Sequence, residues 1–173
     1  MTSRNTPTGL VRCTFESPLG RMTLAASDVG LAGVWFDGQK HMPDVIDWPV
    51  QDDHPVLRQA AAQLRQYFAG SRISFDLPLD TRKGTAFQQQ VWQALLDIPA
   101  GQTISYGTLS RRIGKSTAVR AVGAAVGRNP ISIVVPCHRV VGADGSLTGY
   151  AGGLERKTTL LQLEKSQPKT IAA

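Results

Sequence analysis

The chain has few of the residues on which several protein classes depend. Of its 173 residues only two, Cys13 and Cys137, are cysteines, which excludes a disulfide scaffold and a cysteine-rich zinc module. No apolar run approaches the roughly 18 residues that a membrane-spanning helix needs, and the first residues lack the apolar stretch of a secretory signal. We therefore expect a reduced, cytoplasmic protein that needs no metal or cofactor and has no membrane partner.

Acidic residues are scarce in the second half of the chain. Lys and Arg outnumber Asp and Glu by 19 to 13, which gives a net charge of +6. Eight aspartates precede residue 81, whereas a cluster of arginines and lysines runs from Arg82 to Arg139. This asymmetry favours a polyanionic partner, nucleic acid ahead of a membrane surface, because no long basic amphipathic helix is visible. Chance clustering of solvated charges is the alternative.

The first part of the chain is predicted to fold as a sheet covered by one helix. Alternating apolar residues in Val11–Ser17, in residues 22–27 and in Leu31–Phe36 indicate an antiparallel meander. Pro55 suits the first position of a helix that Gly70 ends, and the alternation over residues 73–77 indicates one more strand. The predicted organisation is an α/β domain over residues 1–80, a hinge over 81–84, a mostly helical domain over 85–166 and a flexible tail over 167–173.

The second part is predicted to be mostly helical. Thr85 and Gln88 have the spacing of a capping box, which begins a helix that runs to about Ile98. Two short helices over residues 107–113 and 117–127, separated by a turn, form a helix-turn-helix pattern. The second of them carries only one charged side chain, Arg120, among alanines and glycines, which suits close approach to a narrow minor groove. Packing against neighbouring helices is the alternative.

A cysteine and a histidine follow an apolar run in this second part. Residues 131–135 predict a buried strand, after which come Cys137 and His138. A nearby base can activate such a thiol, although an inert core cysteine is the alternative. Because adjacent side chains of a strand point to opposite faces, either the backbone turns at Pro136 or a water carries the proton to His138.

The last helix, predicted over Leu154–Lys165, supplies a candidate carboxylate. We expect Leu154 and Leu161 to face the core and Glu164, three residues after Leu161, to lie on the same side, where it can orient His138. A surface pair between Glu164 and a lysine of the same helix, Lys157 or Lys165, is the alternative.

Two glycine-containing segments precede this helix. Asp144 and Gly145, flanked by apolar residues, predict a hairpin that would serve as the wing of a winged helix. The glycine-rich residues 149–153 predict a flexible loop that can rim a pocket, with a plain connector as the alternative.

The motifs of the second part closely resemble those of the O6-alkylguanine-DNA alkyltransferases. The pentapeptide from Pro136 to Val140 follows Asn129 and Pro130 and precedes residues 149–153 in the order and spacing of that family, over about residues 80–165. The resemblance implies a ribonuclease-H-like N-terminal domain and a winged helix-turn-helix C-terminal domain. Further matching segments are residues 87–92, 98–101, 105–107 and 120–123, with 67–70 in the first part.

The resemblance also implies catalytic roles. Cys137 matches the acceptor that keeps the alkyl group as a thioether, His138 the base that forms the thiolate through a water, and Glu164 the carboxylate that orients the histidine. Tyr106 matches the residue that donates toward the departing guanine and helps to turn the nucleotide out, and Asn129 matches the residue that organises the turn before the acceptor.

Two further groups of residues follow from the resemblance. Arg120 matches the arginine that fills the gap left by the flipped base, which must leave the stack to meet a thiol. The DNA-binding residues implied are Ser105, Tyr106, Thr117, Arg120, Ala121, Gly123, Ala124 and Arg128. The pocket residues implied are Arg139, Val140, Tyr150, Ala151, Gly152 and Gly153.

The activity implied is direct, single-turnover repair of O6-alkylguanine, and of O4-alkylthymine, in double-stranded DNA. We expect a monomer, with cooperative binding along DNA as an open possibility, located in the cytoplasm and on the nucleoid when bound. The alternatives are a non-catalytic protein that binds alkyl lesions or regulates through DNA, and a cysteine hydrolase. The number of turnovers separates them: one, none or many.

Two positions and one metal site depart from the family pattern. Ala151 stands where some relatives carry a serine that can donate to guanine O6, and Ser132 replaces a proline of some relatives. The zinc site that some relatives hold in the N-terminal domain has no counterpart set in Cys13, His41 and His54.

Overall fold

The computed structural model describes residues 9–166, and the predicted tail over 167–173 lies outside this range. The N-terminal part is a three-stranded antiparallel sheet in the order β1 (Val11–Ser17), β2 (Gly20–Ala26) and β3 (Leu31–Phe36). The predicted meander is therefore confirmed, with the second strand beginning two residues earlier, at Gly20. Each strand turns its apolar side chains, such as Phe15 and Leu24, into the core.

Helix α1 (Pro55–Phe68) covers this sheet, as predicted. Pro55 occupies the first turn, and the imidazole of His54 accepts a hydrogen bond from the backbone N–H of Val56 at 3.2 Å. Leu57, Leu64 and Tyr67 are buried beneath the helix.

The prediction of a strand over residues 73–77 is wrong. The backbone groups of Asp76 bond to a side chain and not to a strand. The side-chain amide of Gln63 accepts from the N–H of Asp76 at 2.9 Å and donates to the C=O of Asp76 at 3.0 Å. The segment therefore lies against α1 in an irregular form, and the chain reaches the sheet two residues later, through an isolated bridge between Leu79 and Leu31.

The C-terminal part contains four helices and two very short strands. The predicted capping box is present, since Thr85 Oγ1 accepts from Gln88 N–H at 3.1 Å and Gln88 Oε1 accepts from Thr85 N–H at 3.0 Å. The elements in chain order are α2 (Ala86–Leu95), β4 (Ile104–Ser105), α3 (Tyr106–Arg112), α4 (Val119–Gly127), β5 (Val140–Val141) and α5 (Leu154–Lys165). Helix α2 thus ends three residues before the predicted Ile98, and α4 begins two residues after the predicted Thr117.

The predicted wing is present only as a turn. Gly142 N–H donates to Ser146 C=O at 2.8 Å around Asp144 and Gly145, but no strand follows this turn to complete a hairpin with β5 in the described part of the chain. Strand β5 instead pairs in parallel with β4, which joins the turn after Cys137 to the start of α3.

One continuous hydrophobic core runs through both parts of the molecule. At the edge of the sheet, Val34 donates to Pro130 C=O at 2.9 Å and accepts from Ser132 N–H at 3.0 Å, which ties β3 to the segment before Cys137. In α5, Leu160 is buried, whereas Leu154, predicted to face the core, is 48% exposed. No helix within residues 9–166 has the length and apolar composition needed to cross a bilayer.

Candidate active site

Cys137 lies in a tight turn and not at the end of a strand. The predicted strand over residues 131–135 is absent: Ile133 and Val134 form a turn, and Cys137–Arg139 forms a single turn of 3₁₀ helix after Pro136. The backbone therefore turns at Pro136, one of the two possibilities that the sequence left open. The thiol is buried, with 6% of the residue exposed.

Asn129 holds this turn together. Its Oδ1 accepts from Ile131 N–H at 3.0 Å, while its Nδ2 donates to Val135 C=O at 2.8 Å and to Cys137 Sγ at 3.1 Å. The turn includes Ile133 at φ 74°, a left-handed conformation that is strained for a β-branched side chain. The amide of Asn129 therefore both fixes a strained backbone and places a donor on the sulfur.

His138 is fully buried, and its hydrogen bonds define its tautomer. Its Nε2 lies 2.7 Å from Glu164 Oε2. Burial raises the pKa of Glu164, but hydrogen bonds from His138 and Arg139 outweigh burial and lower it to about 2, so this carboxylate can only accept. The ring must then carry its hydrogen on Nε2, which leaves the Nδ1 lone pair free to accept a proton. That Nδ1 atom has no hydrogen-bond partner among the described residues.

Glu164 is the centre of a buried cluster, so the surface pair with Lys157 or Lys165 is wrong. Arg139 donates to Oε1 through Nε and to Oε2 through Nη2, both at 2.9 Å. Tyr67, from α1 of the N-terminal part, donates its hydroxyl to Oε2 at 2.6 Å. Arg139, predicted as a pocket residue, thus has its guanidinium on Glu164 and on the carbonyl of Ile98.

Sequence reasoning missed Lys157, a buried lysine beside the turn. Its Nζ donates to the carbonyls of Val140, Thr148 and Gly149 at 2.6, 2.9 and 3.3 Å. Burial lowers the pKa of Lys157 to about 8, although the nearby Cys137 opposes this. Its helical spacing, three residues before Leu160, was the signal that could have placed it inward.

The resting thiol is protonated. Burial raises the pKa of Cys137, and the opposing effects of Asn129 and Lys157 do not reverse that direction. Burial likewise lowers the pKa of His138 in spite of Glu164. A neutral thiol and a neutral imidazole with a free Nδ1 therefore coexist at rest, which is the arrangement of an acid and a base before proton transfer.

The loop after the turn is held against the N-terminal part. Gly152 packs so closely on Phe36 and Tyr150 that an added Cβ would lie 3.0 Å and 2.8 Å from their rings. Ala151 C=O accepts from Lys40 N–H at 3.1 Å, and the Tyr150 ring stands edge-on to His138 at 6.5 Å between centroids. Of the predicted pocket residues, Tyr150 thus lies beside His138, and Gly152 packs on Tyr150.

Helices α3 and α4 present the predicted DNA-binding residues. Tyr106 begins α3, where its ring packs against Gly123 of α4 and its hydroxyl donates to Thr148 C=O at 3.2 Å. Burial raises the pKa of Tyr106, and a thiolate at the nearby Cys137 raises that pKa further. Ser105 caps α3 by accepting from Thr108 N–H. The exposed residues of this set are Thr117, Arg120, Ala121, Ala124 and Arg128.

A cavity of about 580 Å³ lies away from the buried cluster around Glu164, between the N-terminal sheet and the start of α2. All three tryptophans, Trp35, Trp48 and Trp92, line it, and of the predicted site residues only Arg128 does. Within residues 9–166 no group of three or more His, Cys, Asp and Glu side chains is placed to hold a metal ion.

Comparison with known proteins gives matches to one family over residues 10–81 and 86–166. Residues 86–166 match "6-O-methylguanine DNA methyltransferase, DNA binding domain", and residues 10–81 match "6-O-methylguanine DNA methyltransferase, ribonuclease-like domain". A methylated-DNA–protein-cysteine methyltransferase of Mycobacterium tuberculosis is 50% identical over 154 residues, covering 89% of this chain and 92% of that protein. One of Methanosarcina acetivorans is 50% identical over 152 residues, covering 88% and 96%.

Comparison with solved structures identifies the same family. The crystal structure of the Mycobacterium tuberculosis O6-methylguanine methyltransferase has a TM-score of 0.84 and 48% identity, covering 93% of this chain and 96% of that one. The same enzyme crystallised in complex with DNA has a TM-score of 0.82 and 48% identity, covering 92% and 95%.

Proposed function

The chain belongs to the 6-O-methylguanine DNA methyltransferase family, and we propose that Cys137 is the cysteine to which it transfers the alkyl group of O6-alkylguanine in DNA. The protein acts in DNA repair by alkyl transfer to a cysteine. What remains to be assigned is the acceptor, the proton path and the DNA surface.

The proposal rests on the buried Nδ1 of His138, which has no hydrogen-bond partner among the described residues, and on the buried, protonated thiol of the preceding residue, Cys137. His138 Nδ1 accepts the thiol proton through a water, since the two neighbouring side chains share no direct hydrogen bond in the described structure. The thiolate attacks the alkyl carbon, so that a C–S bond forms as the C–O6 bond breaks. The guanine that leaves takes up one proton at N1, which balances the proton that the thiol gives up.

The carboxylate and the cations around His138 have distinct parts in this step. Glu164 stabilises the imidazolium that forms at His138 without taking its proton, because its pKa of about 2 keeps it ionised. Asn129 Nδ2 and the ammonium of Lys157 stabilise the developing thiolate. Tyr106, near the thiol, donates toward the departing base.

For the DNA partner, we propose that α3 and α4 act as a helix-turn-helix on double-stranded DNA that contains the lesion. The exposed Ala121 and Ala124 let the α4 backbone approach a minor groove, and the exposed Arg120 fills the gap left by the flipped base. Flipping is required because a buried thiol cannot reach the O6 substituent of a stacked base. Binding as a monomer, a hinge over residues 81–84 and a cytoplasmic location belong to the same proposal.

The experiment is a titration of the protein with excess duplex DNA containing O6-methylguanine, followed by intact mass measurement and peptide mapping. We expect one methyl group per chain, located on Cys137, and no transfer by Cys137→Ser, which should still bind the duplex. Cys13 is the internal control, because burial and Asp52 raise the pKa of its thiol to about 11. Several turnovers, or a methyl group on Cys13, would contradict the proposal.

A further inference from the structure

A tyrosine of the N-terminal part is hydrogen-bonded to the carboxylate of the active site. Tyr67 lies near the end of α1, is 1% exposed, and donates its hydroxyl to Glu164 Oε2 at 2.6 Å across 97 residues of sequence. Its ring is fixed by Phe68 at 5.3 Å and Phe75 at 5.5 Å between centroids. The hydroxyl is therefore held by the N-terminal core and directed at the C-terminal site.

The same carboxylate oxygen receives three donors. Oε2 accepts from Tyr67, from His138 Nε2 at 2.7 Å and from Arg139 Nη2 at 2.9 Å, whereas among the described residues Oε1 accepts only from Arg139 Nε. Tyr67 and His138 thus share one oxygen, and any change in the position or charge of that oxygen acts directly on the imidazole. Burial, followed by the negative charge of Glu164, raises the pKa of Tyr67, so the phenol remains a donor at every working pH.

Resting on the function proposed above, we propose that Tyr67 is a positioning residue for alkyl transfer, which holds Glu164 so that His138 keeps its Nε2 hydrogen on the carboxylate and its Nδ1 free to take up a proton. Through this bond, docking of the N-terminal domain sets the orientation and basicity of the catalytic base. The N-terminal domain is then a part of the reaction centre as well as a structural support.

Removing the hydroxyl should have two effects. With one donor fewer, Glu164 is less constrained, which loosens the ring of His138 and slows proton transfer. The carboxylate also becomes more basic, which favours the imidazolium and raises the pH at which His138 becomes neutral. The groups that face this histidine are Glu164 and Lys157 from α5, Cys137 and Arg139 from its own turn, Tyr67 from α1 and Tyr150 from the loop.

Tyr67→Phe in the full-length protein tests the proposal, because the ring and its packing are kept. We expect single-turnover methyl transfer to slow roughly three- to tenfold at saturating DNA, duplex affinity to stay within twofold, and the acid limb of the pH–rate profile to move up by about half a unit. The ¹⁵N shifts of His138 should report the same change in the free protein.

Gln63→Met is the matched control on the same helix. Gln63 is 8% exposed and makes two hydrogen bonds, both to Asp76, so its loss costs stability without touching Glu164. We expect Gln63→Met to keep the transfer rate and the pH profile of the parent. Equal rates and profiles for Tyr67→Phe and the parent, or equal losses in both variants, would overturn the role of Tyr67. Transfer by Cys137→Ser would instead overturn the proposed function itself.

Discussion

The buried side-chain amides of Asn129 and Gln63 both form hydrogen bonds with backbone groups, and we expect only that of Asn129 to affect alkyl transfer. Asn129 bonds Ile131 N–H, Val135 C=O and Cys137 Sγ, and Gln63 bonds both backbone groups of Asp76. Substituting Asn129→Leu and Gln63→Met replaces each amide with an apolar group of similar shape. The two variants therefore remove comparable hydrogen bonds from different places.

The stability cost follows from counting the groups that lose partners. In Asn129→Leu the N–H of Ile131, a residue with no exposed surface, loses its acceptor, whereas Val135 C=O keeps the N–H of Cys137 at 2.8 Å. One orphaned buried N–H costs about 1–3 kcal/mol and each of the two other lost bonds about 1 kcal/mol, so we expect a loss of about 3–5 kcal/mol. Gln63→Met orphans both groups of Asp76 at a partly exposed site, and we expect a loss of about 1–3 kcal/mol.

Urea unfolding followed by tryptophan fluorescence measures these losses, and single-turnover transfer below the unfolding transition measures function. Asn129→Leu should lose transfer at least a hundredfold, because the strained turn at Ile133 relaxes and Sγ loses its donor. Gln63→Met should transfer at the parent rate. Parent-like transfer by folded Asn129→Leu would refute the assignment of Asn129 to the turn and the thiolate.

The remaining predictions concern DNA, protons and metal. Arg120→Ala should slow transfer more than it weakens binding, and the logarithm of the affinity should fall with the logarithm of salt concentration at a slope of roughly −3 to −5, from about three to five neutralised phosphates; filter binding across a salt series checks this. His138→Ala and Glu164→Gln should not be additive, the double variant being little slower than the worse single one, because the base works only when oriented. Stability should fall as the pH drops from about 5 towards 2, since the folded pKa of Glu164 is about 2 against an ordinary 4.5, a difference worth about 3 kcal/mol at neutral pH; urea unfolding at pH 7 and pH 3 should show the loss. Treatment with a chelator should leave transfer intact, and a stoichiometric, tightly held zinc ion in elemental analysis would contradict this.

Local patterns predicted the elements whose hydrogen bonds are local. The three strands, the capping box at Thr85 and the helix from Pro55 depend on period, turn residues and caps, all of which neighbouring residues determine. These features need no knowledge of the rest of the fold. The inward position of Glu164 was one of two alternatives that helical spacing left open; the structure shows Glu164 buried, whereas Leu161, predicted on the same inward side, is only partly buried.

Two of the errors share a physical cause: a side-chain amide forms hydrogen bonds with backbone groups that the prediction assigned to a strand. Gln63 does so for the segment over residues 73–77, and Asn129, through a bond to Val135, replaces the strand predicted before Cys137 with a turn. Tyr67 and Lys157 were missed as partners of the site for a similar reason, since no local pattern indicates which buried group a polar side chain will meet. Leu154 was placed inward by its apolar character alone.

The protonation state of the resting site explains how a cysteine that reacts only once can avoid side reactions with other electrophiles. Burial raises the pKa of Cys137 and lowers that of His138, so at neutral pH the thiol keeps its proton and is a poor nucleophile toward diffusing electrophiles. Proton transfer to Nδ1 separates charge, and this becomes favourable only when an alkyl carbon is positioned to accept the thiolate. The positive charge of Lys157 and the Nδ2 donor of Asn129 act on that same charge-separated state, more strongly than on the resting thiol. On the proposed mechanism, reactivity therefore depends on a flipped base in the site, which confines an irreversible reaction to its DNA substrate.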